Sequence, residues 1–311
     1  MESYSIGVDL GGTNLRAAAI SQQGAMLESV AGRTPMLDGP DAVVADMVGS
    51  IEELLRRLGR PKLAGIGVGV PGFIRLETGV IAGWGNAPAF NGYPIRDEIE
   101  RRLGFKVVLE NDANAAALGE KWIGAGKDVD DLVLLTLGTG IGGGIIVGGR
   151  ILHGYMGMAG ELGHLTISSN GNPCGCGNNG CLEKHASATA VAAMGRLVNL
   201  GVGLSSRNVY QFAVEGSERA RAVFRSMGEA LGIALANLVN IFNFPLYLLS
   251  GGPLPAWDLF APAMLKEVER RSFTYRTAPT RIEPAKLGSE AGLYGAAYLP
   301  FLSSESVPVL K

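Results

Sequence analysis

The feature that most constrains the fold is a strand–turn–strand pattern that occurs twice in the sequence. Residues 5–20 contain an apolar segment, a turn at Gly11-Gly12-Thr13 and a second apolar segment. Residues 132–147 repeat this order around a turn at Gly138-Thr139-Gly140. Apolar segments joined by a glycine-rich turn are typical of β-hairpins, and a unit that recurs along a chain indicates internal duplication. We therefore expect two halves of similar architecture, each beginning with a hairpin.

Helical and extended patterns alternate after each hairpin, which is typical of an α/β protein. Apolar periodicity predicts helices over residues 41–58, 94–103, 186–200 and 217–242. Strands are predicted over residues 63–70, 107–109 and 246–249. The position of the second hairpin predicts a small first domain over 1–112 and a larger second domain over 113–289. A C-terminal helix over about 290–311 is expected to belong to the first domain.

The composition is that of a globular protein and argues against several other classes. The chain has 311 residues, enough for two domains, of which 47% are apolar and 18% charged. The net charge is −2 and Lys and Arg are not clustered, so nucleic acid is not an expected partner. The N-terminus lacks the basic region of an export signal, and no run of 18 apolar residues predicts a membrane span. We expect a cytoplasmic protein with no membrane partner.

The second glycine-rich turn also contains the dinucleotide-binding pattern G-x-G-x-x-G, at residues 138–143. That site requires the loop to open a helix, whereas residues 144–147 continue as a strand, so we exclude it. A turn of Gly and Thr can still bind phosphate through its backbone N–H groups and its hydroxyl. The two turns could together bind one triphosphate, with Asp9 beside the Mg²⁺. The alternatives are glycines that only form tight turns and an Asp9 that only initiates one.

Asp112 is the carboxylate that we consider first for chemistry. It follows a predicted strand and precedes an alanine-rich stretch over 113–117 that predicts a helix. A carboxylate at this position could orient a sugar hydroxyl and accept its proton late in a loose phosphoryl-transfer transition state. The alternative is a helix N-cap, a position that Asp commonly occupies.

The three cysteines lie within eight residues, and one histidine lies ten residues upstream of the first of them. Three thiolates and an imidazole complete the tetrahedral ligand set of a closed zinc site, which leaves no position for a catalytic water. The predicted ligands of this structural zinc are His164, Cys174, Cys176 and Cys181. A disulfide is the alternative, which an odd number of cysteines and a cytoplasmic location disfavour.

The predicted zinc loop, residues 164–183, would present two carboxylates, Glu161 just before it and Glu183 at its end. Carboxylates beside a hydroxylated ligand accept hydrogen bonds from its adjacent hydroxyl groups. The alternative for each carboxylate is a solvated surface charge. His153 and His185 have no comparable sequence context, so we expect both to be ordinary polar side chains.

These motifs occur together, and in this order, in a known family. The sequence resembles the ROK family (repressor, open reading frame, kinase) over residues 9–252, and within it the bacterial glucokinases. The segments that carry the resemblance are residues 9–14, 110–116, 137–144, 159–164, 174–183 and 250–252.

The resemblance implies a duplicated actin-like hexokinase fold, related to ribonuclease H, with ATP and a hexose in a cleft between two domains. It also implies Mg²⁺, a homodimer, and Asp112 as the catalytic base. The implied sugar-binding residues are Gly72, Asn86, Asn111, Asp112, Glu161, His164 and Glu183. The implied residues for ATP and its phosphates are Asp9, Gly11, Gly12, Thr13, Asn14, Gly138, Thr139, Gly140, Gly251 and Gly252.

We therefore expect ATP-dependent phosphorylation of a hexose at its 6-hydroxyl, with glucose as the first candidate. Alternative substrates are N-acetylmannosamine, allose, fructose and mannose, and polyphosphate is an alternative donor. A repressor of this family would carry a helix-turn-helix segment before Asp9, for which eight residues are too few. A non-catalytic sugar sensor is the remaining hypothesis, which the retention of Asp112 disfavours.

Overall fold

A computed structural model describes residues 3–58 and 62–304 of the chain. The described residues form two compact units. The first unit draws them from Met1–Asp130, Gly144–Gly160 and Ser289–Lys311, and the second from Asp131–Gly143 and Glu161–Gly288. The boundary expected after residue 112 differs from this division, because residues 113–130 and 144–160 belong to the first unit.

The structure alternates helices and strands along the chain. The strands are β1 (Tyr4–Leu10), β2 (Asn14–Ser21), β3 (Met26–Arg33), β4 (Leu63–Val70), β5 (Phe73–Arg75), β6 (Val80–Gly83), β7 (Val107–Asn111), β8 (Leu132–Leu137), β9 (Ile141–Val147), β10 (Arg150–Ile151), β11 (Leu246–Gly251) and β12 (Arg281–Pro284). The helices are α1 (Pro40–Leu58), α2 (Ile95–Leu103), α3 (Asp112–Trp122), α4 (Glu183–Ala186), α5 (Ala188–Leu197), α6 (Ser206–Val214), α7 (Glu218–Phe242), α8 (Trp257–Arg271), α9 (Phe273–Thr277) and α10 (Ala291–Ser304).

The elements predicted from the sequence are confirmed with one exception. Helices α1, α2 and α7 and strands β4, β7 and β11 occupy the predicted positions, as do both hairpins. The helix predicted over 186–200 is wrong, because α4 and α5 replace it. Ser187 separates them, since its hydroxyl caps α5 and accepts a hydrogen bond from the Ala190 N–H at 3.1 Å. The predicted C-terminal helix is α10, and residues 305–311 lie outside the described residues.

The two main sheets of the described residues share one strand order. The first has the order β3-β2-β1-β4-β7 and the second β10-β9-β8-β11-β12. In each, a hairpin lies at one edge, and the three strands on the other side run parallel: β1, β4 and β7 in the first, and β8, β11 and β12 in the second. The internal duplication predicted from the hairpins therefore extends through both sheets.

Helices cover the two faces of the first sheet. Helix α1 buries an apolar face with three- to four-residue spacing against one side, as Val44, Met47 and Ile51 show. Helix α10 packs on the other side, so closely that a Cβ atom at Gly67 of β4 would collide with the Ala296 carbonyl. Helix α3 packs against α10 in turn, and this contact explains why residues 113–122 belong to the first unit.

Helix α7 belongs to the core of the second unit. It is the single helix among the described residues that is long and apolar enough to cross a membrane, by length and composition only. However, 67% of its most apolar stretch is buried inside the protein, as in the core helix of a globular protein. The Ser217 hydroxyl caps its N-terminus, and Asn243, at φ 50°, ends it in the left-handed conformation.

Candidate functional site

Parallel strands bring several of the predicted residues to one edge of the first sheet. In the pairing register, Gly69 of β4 lies opposite Asp9 of β1 on one side and Glu110 of β7 on the other. The three strands run in the same direction, so their carboxyl ends meet at one edge, where α/β proteins commonly bind ligands. Asp9, Gly72 and Asp112 all lie at or just beyond these strand ends.

The cap of α3 is Asn111, not Asp112. The Asn111 Oδ1 atom accepts hydrogen bonds from the N–H groups of Ala113 at 2.9 Å and Asn114 at 3.2 Å. Its Nδ2 group donates to the Gly72 carbonyl oxygen at 3.2 Å. Asp112 is the first helical residue, is half-buried, and its Oδ1 accepts from the Ala113 N–H at 2.8 Å. The N-cap role considered for Asp112 therefore belongs to Asn111.

Gly72 occupies a turn that no other residue fits without strain. Its φ is +84°, and a Cβ atom there would lie 2.5 Å from the Gly83 carbonyl oxygen and 3.1 Å from the Trp84 Cβ. This turn fixes the carbonyl that accepts the Asn111 amide. Asn86 lies in an exposed turn after β6, and its contacts with the described residues assign it no role.

The turn of the first hairpin is exposed and internally braced. The Gly11 N–H donates to the Asn14 carbonyl at 2.9 Å, and the Thr34 hydroxyl donates to the Gly11 carbonyl at 2.7 Å. Gly12, Thr13 and Asn14 form the exposed tip, with open space where a Gly12 side chain would lie. A rigid, exposed turn of this type can present N–H groups to a phosphate.

Asp9 stands at the base of this turn and forms an ion pair. Its Oδ2 atom lies 2.5 Å from the Arg16 guanidinium. Burial raises the pKa of Asp9, and Arg16 counteracts that effect only in part. Oxygen ligands such as this carboxylate suit Mg²⁺, which usually keeps several waters and is also held by the phosphates of its substrate. The carboxylate of Asp9 is therefore a suitable ligand for Mg²⁺, and in this structure it is paired with Arg16.

The second unit collects the remaining predicted phosphate residues at the ends of β8 and β11. The Gly252 N–H donates to the Leu137 carbonyl at 3.0 Å, which places Gly251-Gly252 beside the turn over 138–140. The Gly138 carbonyl accepts from the Ala188 N–H at 2.8 Å, so α5 braces this turn. Gly138 and Thr139 are exposed. A Cβ atom at Gly140 would lie 2.7 Å from a Glu183 carboxylate oxygen, which brings Glu183 to the same place.

The predicted metal ligands converge within the second unit. One ligand atom from each of His164, Cys174, Cys176 and Cys181 lies within 4.8 Å of all the others. Two sulfur ligands of one tetrahedral zinc ion lie about 3.8 Å apart. The Cys176 and Cys181 sulfurs are separated by 3.7 Å, and Cys174 Sγ lies 3.6 Å from His164 Nδ1. The donor set and its spacing fit zinc, which Nδ1 rather than Nε2 of His164 would bind.

The two predicted sugar-binding carboxylates flank this cluster. Glu161 Oε2 lies 3.8 Å from His164 Nε2, and Glu183 Oε1 accepts from the Cys174 thiol at 3.2 Å and from Lys184 at 3.2 Å. Burial raises the pKa of Glu161, and the Glu183 charge adds to this while His164 opposes it. Burial also disfavours ionisation of Glu183, but its Cys174 and Lys184 partners outweigh it and lower the pKa.

Sequence reasoning missed one pair of side chains in the first unit. His153 Nε2 lies 2.7 Å from Glu110 Oε2, a carboxylate partner that the sequence gave no reason to expect. The two residues are 43 positions apart, and no local pattern joins them. His185 differs from this pair: its Nε2 is buried and, among the described residues, has no hydrogen-bond partner. Burial lowers the pKa of His185.

Comparisons with known proteins identify the family and the fold. The family model described as "ROK family" matches residues 5–301. A glucokinase of Halalkalibacterium halodurans is 34% identical over 96% of this chain and 95% of its own. A ROK hexokinase of Thermus thermophilus has a TM-score of 0.88 at 35% identity, covering 98% of this chain and all of that one. A ROK glucokinase of Streptomyces griseus, solved with glucose and AMPPNP, has a TM-score of 0.81 at 31% identity, covering 96% and 99%.

The chain therefore belongs to the ROK family. Its fold is the duplicated actin-like hexokinase fold expected from the sequence, and the protein is a sugar kinase. Relatives with other acceptor names also match: an N-acetyl-D-glucosamine kinase of Haemophilus influenzae is 31% identical over 94% of this chain and 98% of its own.

Proposed function

We propose that the protein transfers the γ-phosphoryl group of ATP to the 6-hydroxyl of a hexose, and that glucose is its preferred acceptor. The glucokinase relative that matches almost end to end supports the acceptor. The Streptomyces griseus structure with glucose and AMPPNP supports both substrates. The structural observation that carries the proposal is the place of Asp112, at the start of α3 and at the strand edge that also holds Asp9.

Asp112 has the proposed role of proton acceptor. Phosphoryl transfer runs through a loose transition state, so the carboxylate need only orient the 6-hydroxyl and accept its proton late. Asn111 and Gly72 hold the main chain on which Asp112 sits, through the bond between their amide and carbonyl groups. A Mg²⁺ ion beside Asp9 would neutralise phosphate charge. The phosphates would bind the turn of the first hairpin, at Gly11, Gly12, Thr13 and Asn14.

The second unit supplies the other proposed contacts. Glu161, His164 and Glu183 are polar and adjacent, so they can accept or donate hydrogen bonds to neighbouring sugar hydroxyls. Zinc, held by His164 and the three cysteines, would fix the loop that carries them. The proposed contacts of this unit with the nucleotide are Gly138, Thr139, Gly140, Gly251 and Gly252.

An N-acetylhexosamine is the second candidate acceptor, because a relative named N-acetyl-D-glucosamine kinase matches along nearly its whole length. A coupled assay of ADP release decides between the candidates. It uses ATP with glucose, N-acetylglucosamine, N-acetylmannosamine, allose, fructose and mannose, and polyphosphate with glucose as an alternative donor. We expect the highest kcat/KM with ATP and glucose. Calorimetric binding of a hexose without turnover of any of them would indicate a sensor and would refute the proposal.

Asp112→Asn tests the proposed proton acceptor. Loss of a positioned general base costs about 100- to 10,000-fold, so kcat with glucose should fall by at least about 100-fold. Glucose affinity, measured by calorimetry, should stay within about threefold because the amide keeps the shape and one acceptor oxygen. Asp46→Asn, on the exposed face of α1, is the matched control and should leave both values unchanged. A fully active Asp112→Asn protein would remove this residue from the mechanism.

The cytoplasmic location, which the composition and N-terminal sequence suggested, and the homodimer, which the family resemblance implies, also remain proposals. Light scattering of the purified protein tests the dimer directly.

A further inference from the structure

We propose that Glu110 and His153 are positioning residues that hold Asp112 in place for proton transfer, an inference that rests on the function proposed above. Neither residue is expected to touch the substrates. Both lie in the first unit, and Glu110 immediately precedes Asn111-Asp112 along β7. Their effect on the reaction would pass through the main chain of that strand end and the first turn of α3.

Glu110 is a buried carboxylate whose two oxygens are both occupied. Its side chain is 4% exposed. The Oε1 atom accepts from the Asn111 N–H at 2.9 Å and from the Asn114 side-chain amide at 3.0 Å. The Oε2 atom pairs with His153 Nε2 at 2.7 Å. A buried carboxylate is tolerated only when donors satisfy it. Its donors come from the strand end, the first turn of α3 and a distant loop, so Glu110 joins these three segments.

His153 reaches Glu110 from a loop that is itself anchored. The preceding residue, Leu152, donates its N–H to the Ile145 carbonyl of β9 at 2.8 Å. The His153 carbonyl accepts from the Ala159 N–H at 3.0 Å and closes the loop over 153–159. Burial opposes the charged form of His153, but the hydrogen bond and charge of Glu110 outweigh it, so the pKa of the imidazole is raised. The imidazole is therefore a fixed donor to Glu110.

The geometry of Asn111 explains why the pair matters for its neighbour. The Asn111 side chain is already committed to capping α3 and to the Gly72 carbonyl. Its main-chain N–H is held by Glu110. If His153 is removed, Glu110 Oε2 loses its donor while it stays buried, and a rotated carboxylate would release the Asn111 and Asn114 groups. Displacing a reacting group by about 1 Å can cost about 100-fold in rate, whereas substrate binding is affected much less.

Steady-state kinetics of His153→Leu and His153→Gln with glucose and ATP test the proposal. We expect His153→Leu to lower kcat by about tenfold or more while KM for both substrates stays within about twofold. His153→Gln, whose amide nitrogen can take the place of Nε2, should recover most of kcat. Tyr155→Ser changes a fully exposed residue of the same loop and should leave kcat unchanged.

The outcomes separate this inference from the proposed function. An inactive Asp112→Asn with a fully active His153→Leu would refute the positioning role and leave the function intact. An Asp112→Asn protein as active as the wild type would refute both. If His153→Leu and His153→Gln lose activity equally, and only in proportion to the folded fraction measured by circular dichroism, the pair has a structural role alone and the inference is wrong.

Discussion

At the scale of single residues, neighbouring residues at the edge of the first sheet have different roles. Asn111 caps α3 and bonds to the Gly72 carbonyl, so the helix start does not depend on Asp112. The Glu110 carboxylate accepts a hydrogen bond from the Asn111 main-chain N–H, and His153 is the partner of its other oxygen. Three consecutive residues at the junction of β7 and α3 thus have different roles: Glu110 supports the main chain, Asn111 caps the helix and Asp112 is the proposed proton acceptor. This arrangement explains why an Asn precedes Asp112 where the sequence alone suggested an Asp cap.

The pairing of His153 with Glu110 predicts a pH-dependent stability. The pKa of His153 is raised in the folded protein, and burial, which lowers it, is outweighed by Glu110. The stabilisation is therefore fully present below the unfolded value of about 6.5 and is lost as the pH rises through the folded value. The difference in unfolding free energy between wild type and His153→Leu should be larger at pH 6 than at pH 9. Urea denaturation at both pH values measures it, and an equal or larger difference at pH 9 would contradict the assigned charge.

The same pair illustrates which contacts between single residues cannot be predicted from the sequence. The convergence of His164 with the three cysteines was predictable, because these residues lie close together along the chain in a chemically specific set. The contact of His153 with Glu110 was not predictable, because it joins the loop after β10 to β7, and the two residues lie 43 positions apart in the sequence. Nothing in the residues around His153 indicates a carboxylate partner.

At the scale of elements, helix α10 packs against the first sheet with its main chain close to the main chain of the strands. Gly67 of β4 and Gly7 of β1 both face this helix, and a Cβ atom at either position would collide with its main chain. Ser5 of β1 also donates its hydroxyl to the Ala297 carbonyl. The small residues on this face, Ser5, Gly7 and Gly67, let a helix from the end of the chain complete the core of the first unit.

Gly67→Ala should therefore be strongly destabilising. The added methyl group would meet the main chain of Ala296, which cannot move without shifting the whole helix, so we expect a loss of about 3 kcal/mol or more. Gly49→Ala is the matched control, because Gly49 lies within α1 with open space around it. Alanine there should stabilise the protein by about 0.5–1 kcal/mol through helix propensity. Chemical denaturation measures both, and equal midpoints for Gly67→Ala and wild type would contradict the close packing.

The elements themselves were largely predictable, but their partners were not. Apolar periodicity located α1 and α7 because each buries one continuous face. The same periodicity predicted one helix where α4 and α5 are separate. Ser187 can occupy a helix interior, so the sequence pattern does not reveal that its hydroxyl caps α5. The role of α10 depends on glycines of β1 and β4, more than 200 residues earlier in the sequence.

At the scale of the whole molecule, the same strand order occurs in two sheets, and the two units carry different candidate functional residues. The duplication was predictable from the two hairpins, because each glycine-rich turn is a local signal. The division of the chain into units was predictable only in part: the C-terminal helix was expected in the first domain, whereas residues 113–130 and 144–160, which also belong to the first unit, were not. The first unit holds Asp9 and Asp112, and the second holds the metal ligands. Each unit also carries one hairpin turn proposed to bind phosphate.

A zinc ion bound by the four predicted ligands would make the second unit depend on metal, which is not expected of the first unit. Residues 165–182 contain no helix and no strand longer than an isolated bridge, at Thr166–Cys181 and Pro173–Asn179. Segments of this length without regular structure are uncommon in compact domains, and a metal ion bound at one point would help to hold this one in a single conformation. Burial also raises the pKa of the Cys174 thiol to about 12, and a bound cation would favour the ionised form of this ligand.

We therefore expect about one zinc per chain by elemental analysis, since four ligands converge on one point. Cys176→Ser should lose most of the zinc and weaken glucose binding by at least about tenfold, because Glu161, His164 and Glu183 lie in or beside the loop that the ion fixes. Asp112→Asn, in the other unit, is the control that should keep both the zinc and the glucose affinity. Calorimetry on zinc-depleted wild-type protein completes the test, since normal glucose binding without zinc would show that the metal does not support the sugar site.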